Sequence, residues 1–246
     1  MLKLAVIGDP VAHSASPILH RGFLSEVGVA GTYEAIRVVA GDGARAIEAL
    51  REAGFRGLNV TTPLKEEAFV RAEIRDPIAQ ATGAVNTLVL GPQIRGYNTD
   101  GIGTLGALVA AGLADVANSD MLVLGAGPTA RAAVAALVAA GARVVVWNRT
   151  TAKAAALARD LGARLWGADL AREVRFAAVF STLSPHADLA DANLRAVLRT
   201  VPIAIDANYA SRATLGASLG RTDVRDGAAM LAASARASFE LFRSMQ

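Results

Sequence analysis

Residues 120–150 read DMLVLGAGPTARAAVAALVAAGARVVVWNRT, and the fold turns on this stretch. Met121–Leu124 form an unbroken apolar run that stops at Gly125. Such a run, bounded by glycine, marks a strand buried on both faces, as in a parallel sheet. An alanine-rich helix pattern starts at Pro128, and a second apolar run, Val144–Trp147, stops at Asn148. Strand, helix and strand in that order predict a right-handed βαβ unit. At the first strand–helix junction stand Gly125, Gly127 and Ala130, a G-x-G-x-x-A spacing. Glycines there let the backbone approach a pyrophosphate, while the helix N-terminus supplies N–H donors and partial positive charge. We therefore expect Gly125, Ala126, Gly127, Pro128, Thr129 and Ala130 to cradle a dinucleotide.

The end of the second strand selects which dinucleotide. NAD binders place Asp or Glu there to accept from the ribose 2′-hydroxyl. This chain has Asn148, Arg149, Thr150 and Lys153 instead, with no acid among them. A carboxylate would repel a 2′-phosphate, whereas a guanidinium grips one through paired hydrogen bonds. The expected cofactor is NADP.

Moving outward, the pattern continues in both directions. Strands are predicted at 176–182 (FAAVFST) and 202–209 (PIAIDANY), and a final helix from Gly227 onward. Upstream, strands are predicted at 3–9, 32–39 and 55–61, and a hairpin pair at 84–90 and 93–99 turns at Gly91-Pro92. A helix should open at Ser16, with Ser16 as its cap and Pro17 in its first turn. The expected fold class is α/β with two domains. One is a substrate domain with a mainly parallel sheet, residues 1–100 plus 227–246; the other is a Rossmann NADP-binding domain, residues 101–226.

Composition narrows the function. Of 246 residues, 53% are hydrophobic and 19% charged, which suits a globular enzyme and not a disordered chain. There are no cysteines, so disulfides, thiolate metal sites and a cysteine nucleophile are excluded. The three histidines lack ligand spacing, and no metal is expected; His13 and His20 read as loop or helix-flanking residues. A net charge of +3 without aromatic interleaving fits a small anionic ligand better than nucleic acid. No apolar stretch approaches the roughly 20 residues of a membrane span, and the N-terminus reads as a strand. A cytoplasmic monomer or homodimer is expected.

The first half carries the candidate chemistry. GDPVAHSASP (8–17), NVTTPLK (59–65), GAVNT (83–87) and GYNTDG (96–101) each place hydroxyls or amides at a strand end or in the loop after it. Carboxyl ends of parallel strands are where ligands bind. So many neutral donors suggest a polyhydroxylated substrate. Lys65 and Asp100 are the charged members, and a lysine can move the proton that accompanies hydride transfer at a carbinol. A pairing of Lys65 with Glu66 or Glu67 at a solvated helix start is the structural alternative.

Taken together, these four motifs, the glycine fingerprint and "NRT" resemble the shikimate dehydrogenase family over essentially the whole chain. The resemblance implies NADP-dependent interconversion of shikimate and 3-dehydroshikimate, in two α/β domains facing a cleft. It implies that Ser14 and Ser16 hold the substrate carboxylate, that Thr61, Asn86 and Asp100 bind its hydroxyls, and that Lys65 is the acid/base. Tyr209, in a D-x-x-Y segment, would lie near the substrate; Thr182, Gly227 and Met230 would join the cofactor set. Three departures stand out. Ser234 occupies a position where the family usually has glutamine; ASRATLG (210–216) replaces a proline-rich stretch; and the asparagine expected before Ser181-Thr182 is missing. They open the alternative of quinate, aminoshikimate or another cyclic hydroxy acid as substrate. A non-catalytic ligand-sensing relative is a third reading, which the retained Lys65 and Asp100 oppose.

Overall fold

The structure, a computed structural model, describes residues 1–244. Its contacts divide the chain into two compact units: Met1–Asp100 with the stretch from Ala232 onward, and Gly101–Leu231. The return therefore falls at 231/232, where the sequence reading placed it at 227.

In the first unit the order is β1 (Leu2–Gly8), α1 (Ser16–Glu26), β2 (Gly31–Arg37), α2 (Gly43–Glu52), β3 (Gly57–Val60), α3 (Lys65–Arg71), β4 (Ile74–Arg75), α4 (Pro77–Thr82), β5 (Thr87–Leu90) and β6 (Ile94–Tyr97). The sheet order is β2-β1-β3-β5-β6-β4. β1 pairs in parallel with β2 and β3, and β4 with β6, while β3–β5 and the β5–β6 hairpin are antiparallel. β4 has two residues, too few for any period to show in sequence. Both faces of the sheet are covered. Ala5, Ile7, Leu58 and Leu88 pack on one side, and Leu4, Val6, Val89, Phe239 and Phe242 on the other. A side chain at Gly57 would run into the Phe242 ring, so glycine permits that close approach.

The second unit contains α5 (Asp100–Ala110, whose first residue closes the first unit), β7 (Asp120–Leu124), α6 (Pro128–Ala139), β8 (Arg143–Trp147), α7 (Thr151–Leu161), β9 (Arg164–Leu165), α8 (Leu170–Glu173), β10 (Ala178–Ser181), α9 (Ala192–Thr200), β11 (Ile203–Asp206) and α10 (Leu215–Leu219). α11 (Ala228–Arg243) begins in this unit and ends in the first. All strands are parallel, in the order β11-β10-β7-β8-β9. Met121 and Val123 of β7 enter one core, and Leu122 and Leu124 the other. Burial on both faces is why the run contains no polar residue. Successive strands add to one side of β7 and then to the other, so the order reverses between β7 and β10, the place where open α/β sheets bind ligands. Among the described residues, no helix is long and apolar enough to cross a membrane.

Two local expectations change. Ser16 does not cap α1; Ala15 is the cap residue, and the Ser14 hydroxyl accepts the Ser16 N–H at 3.2 Å. His20 is no flanking residue but fully buried on α1. Its ring stacks on Tyr33, with centroids 4.3 Å apart and planes within 11°, and Phe23, Phe239 and Phe242 close the box. Neither ring nitrogen has a hydrogen-bond partner, and burial pushes its pKa down from 6.5 to about 3. Between these values the unfolded chain binds a proton that the folded chain refuses. The stability contribution is therefore complete above pH 6.5 and is lost progressively as the pH falls towards 3. From pH 6.5 to 4 the loss is on the order of 3 kcal/mol. His20→Phe should remove that slope, so the gap between the urea midpoints of variant and parent should widen in the variant's favour from pH 7 to pH 4.

Candidate active site

Lys65 begins α3, directly after a turn in which the Leu64 N–H donates to the Thr61 carbonyl at 2.9 Å. Leu64 is fully buried and pins the turn. Lys65 Nζ donates to Asp100 Oδ2, and the two side chains are 11% and 9% exposed. Glu67 is engaged elsewhere, accepting the N–H groups of Gly41 and Gly43, each at 2.8 Å, at the start of α2. The lysine therefore belongs to the interior pair and not to a solvated helix start. An ion pair this dry stands only if its remaining atoms are also bonded.

Asn86 supplies that bonding. Its Nδ2 donates to Asp100 Oδ1 at 2.7 Å, while its Oδ1 accepts the Thr99 N–H at 2.9 Å. A backbone N–H can only donate, so the Thr99 contact fixes which end of the amide faces the carboxylate. Thr87 Oγ1 also donates to Asn86 Oδ1, at 2.9 Å. The Asp100 N–H is held by Asn98 Oδ1 at 3.0 Å, and Asn98 Nδ2 reaches the Ala84 carbonyl at 3.0 Å. Ser234 lies in the same network: its Oγ is 2.8 Å from Thr99 Oγ1 and 3.5 Å from Asn86 Nδ2. The first unit thus brings Lys65, Asn86, Asp100 and Ser234 together. Ser14 and the buried Ser16 sit at the start of α1, and the half-buried Thr61 follows β3.

The remaining expected residues lie in the second unit. Gly125 follows β7 with φ +115°, and a Cβ there would strike Thr182 Oγ1 after β10, so only glycine fits. Thr182 is pinned to β7, its N–H and Oγ1 both donating to the Leu124 carbonyl, at 2.8 and 3.0 Å. Gly127 caps α6 with open space at its Cα and no side-chain cap, Pro128 is the first helical residue, and Thr129 is half-buried. Ala130 is fully buried, as close helix–strand packing requires. Ala126 lies between the two glycines. Asn148 Nδ2 turns back onto the Thr150 carbonyl at 3.0 Å. Arg149, Thr150 and Lys153 are exposed, and among the described residues neither cation forms an ion pair. Cations near a helix start, with no acid beside them, suit an added anion. These residues fit an NADP adenylate and pyrophosphate.

Tyr209 is half-buried before a short 3₁₀ turn, Ala210–Arg212. Asp206 accepts the N–H groups of Thr214 and Leu215 at 2.9 and 3.0 Å, which anchors the unusual ASRATLG loop. The Gly227 N–H donates to the Asn208 carbonyl at 2.8 Å, and Met230 is buried in the core of this unit. Sequence reasoning missed Tyr33, Asn59, Thr87, Asn98 and Thr99. All but Tyr33 stand within or beside quoted motifs, but only pairing across the sheet shows what they touch.

The chain is similar to known proteins over both units. Residues 6–88 match the family model of the shikimate dehydrogenase substrate binding domain, and residues 107–202 match that of shikimate / quinate 5-dehydrogenase. A shikimate dehydrogenase (NADP(+)) of Methanosarcina acetivorans is 46% identical over 161 residues, covering 64% of this chain and 57% of that protein. One from Thermus thermophilus is 44% identical over 176 residues, 71% of this chain and 66% of that protein. The chain thus spans 57–66% of the length of these curated relatives. The crystal structure of shikimate 5-dehydrogenase from Thermus thermophilus in complex with NADP(H) and shikimate superposes with a TM-score of 0.83 at 35% identity, covering 99% of this chain and 94% of that one. The chain belongs to the shikimate dehydrogenase family.

The network carries its own test. Asn86→Ala removes the acceptor of the Thr99 N–H and one hydrogen bond to Asp100, which should lower unfolding free energy by about 2–4 kcal/mol in urea titrations at pH 7.

Proposed function

We propose that this chain interconverts shikimate and 3-dehydroshikimate with NADP, Lys65 being the proton donor and acceptor. Bound NADP would supply the hydride donor or acceptor for the carbinol carbon. Lys65 Nζ moves the matching proton, donating as an ammonium to the oxygen of the carbon being reduced and taking it back as an amine in the oxidation. Asp100 Oδ2 aims Nζ, and Asn86 holds Asp100. The observation that carries this reading is the nearly dry Lys65–Asp100 pair, a costly arrangement that a purely structural lysine would not need.

Ser14 and Ser16 are assigned the substrate carboxylate, and Thr61, Asn86, Asp100 and Tyr209 its other groups. Gly125–Ala130, Asn148–Thr150, Lys153, Thr182, Gly227 and Met230 are assigned the cofactor. A second reading rests on Ser234. Its hydroxyl is already bonded to Thr99, and a serine reaches less far than the family glutamine, which favours a ring substituent different from that of shikimate.

Initial rates of NADP⁺ reduction test both. Shikimate oxidised faster than quinate supports the first reading, and the reverse supports the second. With the faster substrate, Lys65→Ala should lower kcat by about 100- to 10,000-fold while calorimetry still registers substrate binding. Arg149→Ala should cut the preference for NADP⁺ over NAD⁺ by about 10- to 100-fold, an effect that shrinks as salt is raised.

A further inference from the structure

Beneath the Lys65–Asp100 pair runs a buried line of hydrogen bonds whose direction can be read from one end to the other. The Thr99 N–H obliges Asn86 to present its oxygen to the loop after strand β6, and its nitrogen to Asp100. Thr87 must then donate to Asn86 Oδ1 at 2.9 Å, which leaves its oxygen to accept from Asn59 Nδ2 at 3.3 Å. With its nitrogen so placed, Asn59 turns its oxygen to Tyr33, whose hydroxyl donates to it at 2.7 Å. Every donor thus points the same way, and the chain ends on a carboxylate whose second oxygen takes Lys65. Tyr33 is 1% exposed and Thr87 is wholly buried, so water does not compete at either, while Asn59 between them is half-buried. Aligned hydrogen bonds in a low dielectric polarise one another, and a terminal anion strengthens each of them.

We propose that Tyr33, Asn59 and Thr87 are positioning residues: a one-directional relay from Tyr33 to Asp100 that sets the carboxylate holding Lys65. None of the three touches Lys65. The proposal rests on the dehydrogenase reading above for its kinetic consequence, but the relay itself can be observed without turnover.

Two nearly isosteric changes test it, Thr87→Val and Tyr33→Phe, the latter keeping the ring that stacks on His20. In the unliganded protein the Asn86 side-chain amide resonances should move in both variants, although the Tyr33 oxygen is three hydrogen bonds away. In turnover, Thr87→Val should lower kcat about 3- to 10-fold and shift the pH of half-maximal kcat, with KM for NADP⁺ unchanged. Tyr33→Phe should act in the same direction more weakly, and the double variant should lose no more than Thr87→Val alone, because both cut one line. Thr87→Ser, which keeps the hydroxyl, should restore parental behaviour and also serves if the valine variant does not fold. A Tyr33→Phe protein with a lower Tm but unmoved Asn86 resonances and an unmoved pH profile would overturn the relay. If the parent oxidises no cyclic hydroxy acid, the dehydrogenase reading fails on its own, and the resonances still decide the relay.

Discussion

Removing an ammonium and a carboxylate from water costs several kcal/mol for each ion, and the pair persists only where every remaining valence is met. Much of the first unit can be understood as meeting that demand for Lys65 and Asp100. The turn after β3 starts a helix at Lys65, with Leu64 wedged into the core beneath it. The β5–β6 hairpin sets Asn86 beside Thr99 and Asp100. Glu67, one of the two acids that follow Lys65 in sequence, is bound to the backbone at the start of α2. Loosening any of these would expose the pair or leave one charge without its bond.

A different constraint governs the second unit. Its central strand is apolar on both faces, so polar work must be done where the strand ends, and there the chain uses backbone more than side chains. Gly125 occupies a conformation and a space closed to any Cβ, and Gly127 leaves the first N–H groups of α6 uncapped by a side chain. The exposed Arg149 and Lys153 at the end of the neighbouring strand are the cations to which the function proposed above assigns selectivity. On that reading the first unit would recognise its ligand through hydroxyls, amides and one ion pair, and the second through backbone donors and cations.

The family departures acquire local explanations. The ASRATLG loop dispenses with prolines because the Asp206 carboxylate holds its far end through Thr214 and Leu215. Ser234 is no stub left by a lost glutamine; its hydroxyl enters the Thr99–Asn86 network and completes it from α11. The residue before Ser181 is Phe180, which is fully buried in the core of the second unit.

Residues 120–150 alone determined a parallel α/β unit with a dinucleotide turn, because burial on both faces and a glycine-only turn write themselves into local sequence. The polar motifs likewise pointed to the segments that carry Lys65, Asn86 and Asp100, since four clusters of hydroxyls and amides at strand ends in one unit exceed what caps and turns require. Beyond the Lys65–Asp100 pairing, the partners of those residues were not legible. Ser234 lies 148 positions from Asn86, so their meeting depends on sheet order and on α11 returning to the first unit. His20 shows the same limit from the other side: a polar residue on a helix reads as surface until aromatic rings from β2 and α11 enclose it. Local pattern records what each residue must do for its own strand or turn, whereas hydrogen-bond direction and burial are properties of neighbours that only the folded chain brings together.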